Sequence, residues 1–307
     1  MKTNLDHLPD ANQDELEHIQ QVLMREFAAA IAGGTQTWRR NGKILKIILF
    51  GSFARDDWVD EPDNGYQSDY DLLIIVSHEK LTDIADYWYV AEDKLLHDLK
   101  VKRTVNIIVH TLADVNRALA KGEYFWADVI RDGVMLYELP GHPLATPVPP
   151  TPDDAFELAE RYFQEKHADI ERWMVTVEFQ ISKSNRDAGF RKHATFSLHQ
   201  TVETTYACFL LVSTFYFPRS HNIKFLRSLA EDKDKRLIMA WPRETKTDRR
   251  RFELLKRAYV DARYSDQYAI SVEDLEALSR SATSLRTMVE ALCLERLAAL
   301  RAAAAED

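Results

Sequence analysis

The sequence is poor in cysteine, with Cys208 and Cys293 alone in 307 residues. The two lie far apart, each inside an apolar helical pattern. That excludes a disulfide framework and a cysteine metal cluster, and assigns both to core packing. No apolar run approaches the length of a membrane span. The segment from Met1 to Ala30 is polar and acidic, where a secretory signal would be basic and then apolar, so a cytoplasmic protein is expected. An excess of positive charge is also missing. A net charge of -9 disfavours general attraction to DNA, RNA or anionic lipid and leaves small phosphorylated ligands held with a metal as a compatible class.

What is present describes a soluble globular chain, 46% hydrophobic and 29% charged, long enough for two cores. Apolar residues at Leu16, Ile19, Val22, Leu23 and Phe27 predict an amphipathic helix from about Gln13 to Ile31, ended by Gly33-Gly34. Strands are expected over Ile44 to Phe50, Asp69 to Val76, Thr104 to Val109 and Val134 to Tyr137. Helices over Leu81 to Leu99 and Leu112 to Ile130 separate them. This alternation describes an α/β or α+β unit over residues 1–139. Six of the ten prolines fall between Pro140 and Pro152, a composition that stiffens a connector and denies it regular hydrogen bonding, so a linker is placed at 140–152. Beyond it strand signals stop. Residues 153–307 carry apolar side chains at helical spacing, among them Leu158, Tyr162, Ile170, Leu198, Val202 and Tyr206, and read as an all-helical bundle.

Two features of the first domain carry chemistry. The strand ending at Phe50 runs directly into Gly51-Ser52. A glycine there lets backbone N–H groups approach a phosphate closely, and the Ser52 hydroxyl adds a donor. Arg55 offers a planar cation to the same phosphates. After a polar insertion comes Ser68-Asp69-Tyr70-Asp71, followed by an apolar strand. Residues two apart on a strand share a face, so Asp69 and Asp71 present two carboxylates together, the oxygen ligands that Mg²⁺ takes while bridging substrate phosphates. Trp58, Tyr66 and Gln67 in the insertion either cover this site or pack as surface loop.

Together these motifs resemble the nucleotidyltransferase superfamily of DNA polymerase β, in particular its minimal nucleotidyltransferases, over roughly residues 44–138, which implies the α+β class with a mixed sheet and helices. The resemblance implies that Gly51 and Ser52 receive the triphosphate, with Arg55 and Ser68 beside it, and that Asp69 and Asp71 hold Mg²⁺ or Mn²⁺. It also implies a third carboxylate on a neighbouring strand, where this sequence has Asn106, an amide without charge or basicity. Asp128 either supplies that acid or is a solvated helix carboxylate, the reading its position favours.

The helical part resembles HEPN domains in the stretches Phe196 to Tyr206, His221 to Leu226, Ala258 to Ser265 and Tyr268 to Ile270. HEPN domains are commonly dimeric and are often joined to minimal nucleotidyltransferases, which implies a homodimer through this domain. Some are metal-independent ribonucleases that pair an Arg with a following His. Here Arg263 has Tyr268 at the matching place, and a phenol with a pKa near ~10 is a poor proton shuttle. His199, Arg263 and Tyr268 form the candidate HEPN site. His221-Asn222 reads as a helix cap, and Arg249-Arg250-Arg251 as a solvated helix face.

The expected activity is metal-dependent transfer of a nucleoside monophosphate, AMP from ATP, to a hydroxyl acceptor. The alternatives are a catalytically impaired nucleotide-binding or sensing protein, in which Asn106 marks lost chemistry, and a HEPN ribonuclease.

Overall fold

The computed structural model describes residues 1–61, 66–218, 220–265 and 267–306. The chain divides at Pro149 and Pro150 into two compact units. The first contains, in order, α1 (Asp10–Ile31), α2 (Thr37–Arg40), β1 (Ile44–Phe50), α3 (Ser52–Arg55), β2 (Asp60–Glu61), β3 (Tyr66–Gln67), β4 (Tyr70–Val76), α4 (Ile84–Tyr87), α5 (Tyr89–His97), β5 (Val105–Thr111), α6 (Leu112–Ala120), α7 (Tyr124–Asp132) and β6 (Val134–Glu138). Four strands form one mixed sheet in the order β5-β4-β1-β6. Only the β4–β5 pair is parallel.

Every residue of β1 and β4 is buried, which is why both read as continuous apolar runs without alternation. One face of the sheet, with Ile47, Leu49, Leu72 and Ile74, packs in a single core with Leu16, Ile19, Leu23 and Phe27 of α1. On the opposite face, Phe125 of α7 meets Phe50 edge-on and Trp126 meets His110. Lys46 projects into this buried environment as well, and its ammonium pairs with Glu138 across the β1–β6 register.

Two helices expected as single elements are each broken. The segment from Leu81 to Leu99 begins as a 3-10 turn, restarts after the Asp83 cap as α4, and restarts again after Trp88, whose φ of -120° is not helical. The segment from Leu112 to Ile130 is split at Lys121-Gly122-Glu123, where Gly122 takes a φ of +71°. Both sections keep helical periodicity, so the break shows only in the capping residues. The stretch of prolines after β6 has no regular structure, and Asn116 of α6 holds it: the Asn116 side chain accepts from the Ala145 N–H at 2.8 Å, and Val148 donates to the Leu119 carbonyl.

The second unit is helical: α8 (Pro152–Ser184), α9 (Ala188–Thr214), α10 (Ile223–Lys233), α11 (Lys246–Tyr264) and α12 (Val272–Glu306). Helix α8 starts where Pro152 occupies the first turn and Thr151 accepts from the Asp154 N–H. Helix α9 lies at the centre of the bundle, with Leu198, Val202, Tyr206 and Phe209 buried. Among the described residues no helix is long and apolar enough to cross a membrane.

Candidate functional site

The ends of three adjacent strands bring the candidate residues of the first unit together. In the sheet register Phe50 of β1 is opposite Asp71 of β4, and Asp71 is opposite Asn106 of β5. Asp69 lies just before β4 and in phase with Asp71, so both carboxyls belong to the same face. All three side chains are buried, at 6%, 4% and 6% exposure for Asp69, Asp71 and Asn106. The Asn106 Nδ2 donates to Asp71 Oδ1 at 2.9 Å and reaches Asp69 Oδ2 at 3.4 Å. Turning the amide over would set its oxygen against carboxylate oxygens, so this orientation is the one the site chemistry requires.

Gly51 closes the site from the β1 side. Its backbone, with φ 76° and ψ -155°, lies in a region that residues with a side chain do not adopt. A Cβ there would stand 2.7 Å from Asp71 Oδ2. Ser52 and Phe53 then open α3, and the first N–H groups of a helix have no partner within it. Ser52 is half-buried. Arg55 ends α3 and pairs with Asp57 at 3.1 Å. Its charge also reaches Asp132, whose carboxyl is held below its ordinary pKa, mainly by the hydrogen bond from Arg131.

Ser68, expected beside the triphosphate, also closes a turn of the insertion. Its hydroxyl accepts from the Val59 N–H at 2.9 Å and its own N–H returns to the Val59 carbonyl, which closes the small β2–β3 hairpin. Trp58 stacks on Phe53 at 5.2 Å, and the Arg103 guanidinium lies over both rings while bonding Asp60. Gln67 donates to Asp60. These residues of the insertion pack on α3 and on one another. The Tyr66 side chain lies outside the described residues.

Two carboxylates and a neutral amide, buried together where only glycine fits, suit a hard divalent cation that completes its shell with water and phosphate oxygens. Asp69 and Asp71 would hold it. Among the described residues no group of three or more His, Cys, Asp or Glu stands at metal-binding spacing. Asp128 pairs with Arg131 on its own helix at 2.9 Å.

In the helical unit the structure gathers a group that the linear sequence conceals. His221, just before α10, places Nδ1 3.0 Å from both carboxylate oxygens of Glu203 on α9, and its ring stacks on Tyr259 of α11 at 4.3 Å. Arg263 lies over the same Tyr259 ring, 4.6 Å from its centroid. His199 is fully buried behind them, 3.8 Å from Glu203. Burial, together with the charges of His221 and Arg263, pushes its pKa down to about 4, so its imidazole is neutral. Tyr268 does not join this group. It is 3% exposed, its hydroxyl donates to the Leu254 carbonyl at 2.8 Å, and burial pushes its pKa up to about 12. It is a core residue in this conformation. Eighteen positions separate Glu203 from His221, so no local spacing could have paired them. Asn222 caps α10 as expected, accepting from the Lys224 and Phe225 N–H groups. The basic run is committed to structure: Arg250 and Arg251 both bond Asp274.

The fold and the strand-end site define a nucleotidyltransferase-like domain of α+β class, followed by a helical bundle. Within that bundle, residues 178–292 match the HEPN domain. A protein of Methanocaldococcus jannaschii named "Putative protein adenylyltransferase MJ0604" is 33% identical over 116 residues, covering 37% of this chain and 94% of that protein. The chain belongs to the minimal nucleotidyltransferase family and carries a HEPN domain in the same polypeptide.

Proposed function

We propose that the first unit transfers AMP from ATP to a hydroxyl acceptor on a protein. The reading rests on one observation above the others: Asp69, Asp71 and Asn106 converge at three strand ends beside a glycine whose Cβ would strike Asp71. Membership of the family supports nucleotidyl transfer. The protein acceptor is carried over from the relative's name.

Mg²⁺ or Mn²⁺ held by Asp69 and Asp71 would supply charge neutralisation at the phosphates and in-line alignment of the α-phosphorus. Gly51 would give the triphosphate a close backbone approach, and the Ser52 hydroxyl and Arg55 guanidinium would bind it. The acceptor oxygen forms a bond to the α-phosphorus, the bond from that phosphorus to the bridging oxygen breaks, and pyrophosphate leaves with the electron pair. Asn106 orients the two carboxylates. Its amide cannot accept the acceptor's proton, which passes to solvent.

The test has two arms. ATP with Mg²⁺ should raise the melting temperature, since a ligand of the folded state stabilises by mass action, and Asp69→Asn with Asp71→Asn should remove the metal-dependent part. Pyrophosphate release in the presence of an acceptor separates an enzyme from a sensor. Binding without release would establish the alternative, a nucleotide-binding protein whose third acid is lost at Asn106.

A second reading is favoured by the His221–Glu203 pair. Glu203 takes up Nδ1 and so directs Nε2 of a half-exposed imidazole outward, with the Arg263 cation on the same tyrosine ring. Such a pair can act on a phosphodiester, which would make the HEPN unit a ribonuclease with His221 in place of the imidazole missing at Tyr268. RNA cleavage in chelator that survives both His221→Ala and Arg263→Ala would exclude it.

A further inference from the structure

Tyr70 lies between the two aspartates in sequence and faces the other way. Its side chain is fully buried in the core beneath the sheet. The hydroxyl accepts from Asn12 Nδ2 at 2.7 Å and donates to Glu15 Oε2 at 3.2 Å, both on α1. The second oxygen of Glu15 accepts the Lys102 N–H at 2.6 Å, at the entry to β5. The Tyr70 ring meets the Phe53 ring of α3 at 4.4 Å. Asn12 and Glu15 are themselves buried, at 8% and 7% exposure.

Directly or through Glu15, one side chain therefore reaches the segments of the first unit that carry its candidate site residues. Its own backbone lies between Asp69 and Asp71, Phe53 follows Gly51-Ser52, and the Glu15–Lys102 bond holds the strand of Asn106. A buried polar network of this kind fixes relative positions because each lost partner leaves an unsatisfied group in the core. We infer that Tyr70, through Asn12 and Glu15 of α1, is a positioning residue that sets the geometry of the metal-binding carboxylates against the phosphate-binding turn. The inference rests on the nucleotidyl-transfer reading above.

Tyr70→Phe in the full chain keeps the ring and removes the hydroxyl. The readouts are Mn²⁺ affinity in the presence of ATP, followed by the spin-resonance signal of free Mn²⁺, the melting temperature, and pyrophosphate release, all well below the melting transition. Loss of a group that orients metal ligands typically weakens binding about tenfold or more, and a displaced site lowers kcat on the order of tenfold to a hundredfold. Weaker Mn²⁺ binding and lower kcat in a fully folded variant, with the KM for ATP changed much less, is the expected result. Glu15→Gln, which keeps the size of the side chain and puts a second donor on the phenol oxygen, should shift the same readouts in the same direction. A lower melting temperature with unchanged Mn²⁺ affinity in both variants would overturn the inference and leave Tyr70 a core residue. If the wild-type chain binds no Mn²⁺ with ATP, the failure lies with the transferase reading itself.

Discussion

Replacing Asn106 by aspartate puts a number on the balance of charge at the strand ends. The wild-type amide bridges two buried carboxylates at 2.9 and 3.4 Å. Hydrogen bonds to charged groups are worth about 1.5–3 kcal/mol. In the variant a third carboxylate would replace them, and at 2.9 Å a like-charge pair costs up to about 6 kcal/mol with an effective dielectric near 20. Proton uptake limits that penalty. Protonating an ordinary aspartic acid at pH 7 costs about 4 kcal/mol, roughly three units at 1.4 kcal/mol each. In chelator, therefore, Asn106→Asp should lower the melting temperature of the first unit by on the order of 10 °C, and the deficit should shrink as the pH falls and the proton becomes easier to take up. Mg²⁺ with ATP reverses the sign, because three acids attract the cation more strongly than two. The metal-dependent rise should exceed that of the wild type, and transfer should quicken as a base appears beside the acceptor, each ~1.4 kcal/mol being worth a factor of ten. Differential scanning fluorimetry with and without metal, alongside pyrophosphate release, reads all three effects. An Asn106→Asp protein that melts with the wild type in chelator and gains no more from Mg²⁺ would refute the reasoning.

Gly51→Ala should cost about 2 kcal/mol or more from backbone strain and the collision with Asp71, and should also abolish the thermal shift with ATP. A stable alanine variant that retains the shift would show that the turn does not receive the triphosphate. His199 is neutral in the folded bundle because its pKa is depressed from 6.5 to about 4. The unfolded chain then binds the extra proton between these values, so stability falls as the pH drops below about 6.5 and has lost about 3 kcal/mol by pH 4. Urea unfolding of wild type and His199→Gln across that range checks this, since the substitution should flatten the dependence. The fragment 153–307 should fold alone as a helical bundle and dimerise. Circular dichroism with sedimentation velocity tests both, and an unfolded fragment would move the domain boundary.

The local chemistry of the first unit was legible in the chain. Gly51-Ser52 directly after an apolar run, and Asp69 and Asp71 directly before one, identified strand ends, because continuous burial writes itself as a continuous apolar sequence. The departure at Asn106 was equally visible. What the tertiary structure decided is how these pieces meet. The register that sets Asp71 between Phe50 and Asn106 is a property of pairing across 21 positions on one side and 35 on the other. Arg103 was not distinguishable from a surface polar residue until Phe53 and Trp58 came under its guanidinium. In the helical unit Tyr268 had the position of a motif residue but the burial of a core one, while His221, which the sequence presents as part of a helix cap, is joined to Glu203 and Tyr259 from two other helices. Hydrophobic periodicity states which residues leave water. Which polar groups then share a buried volume depends on chain closure over long distances, and that is settled only when the helices and strands have packed.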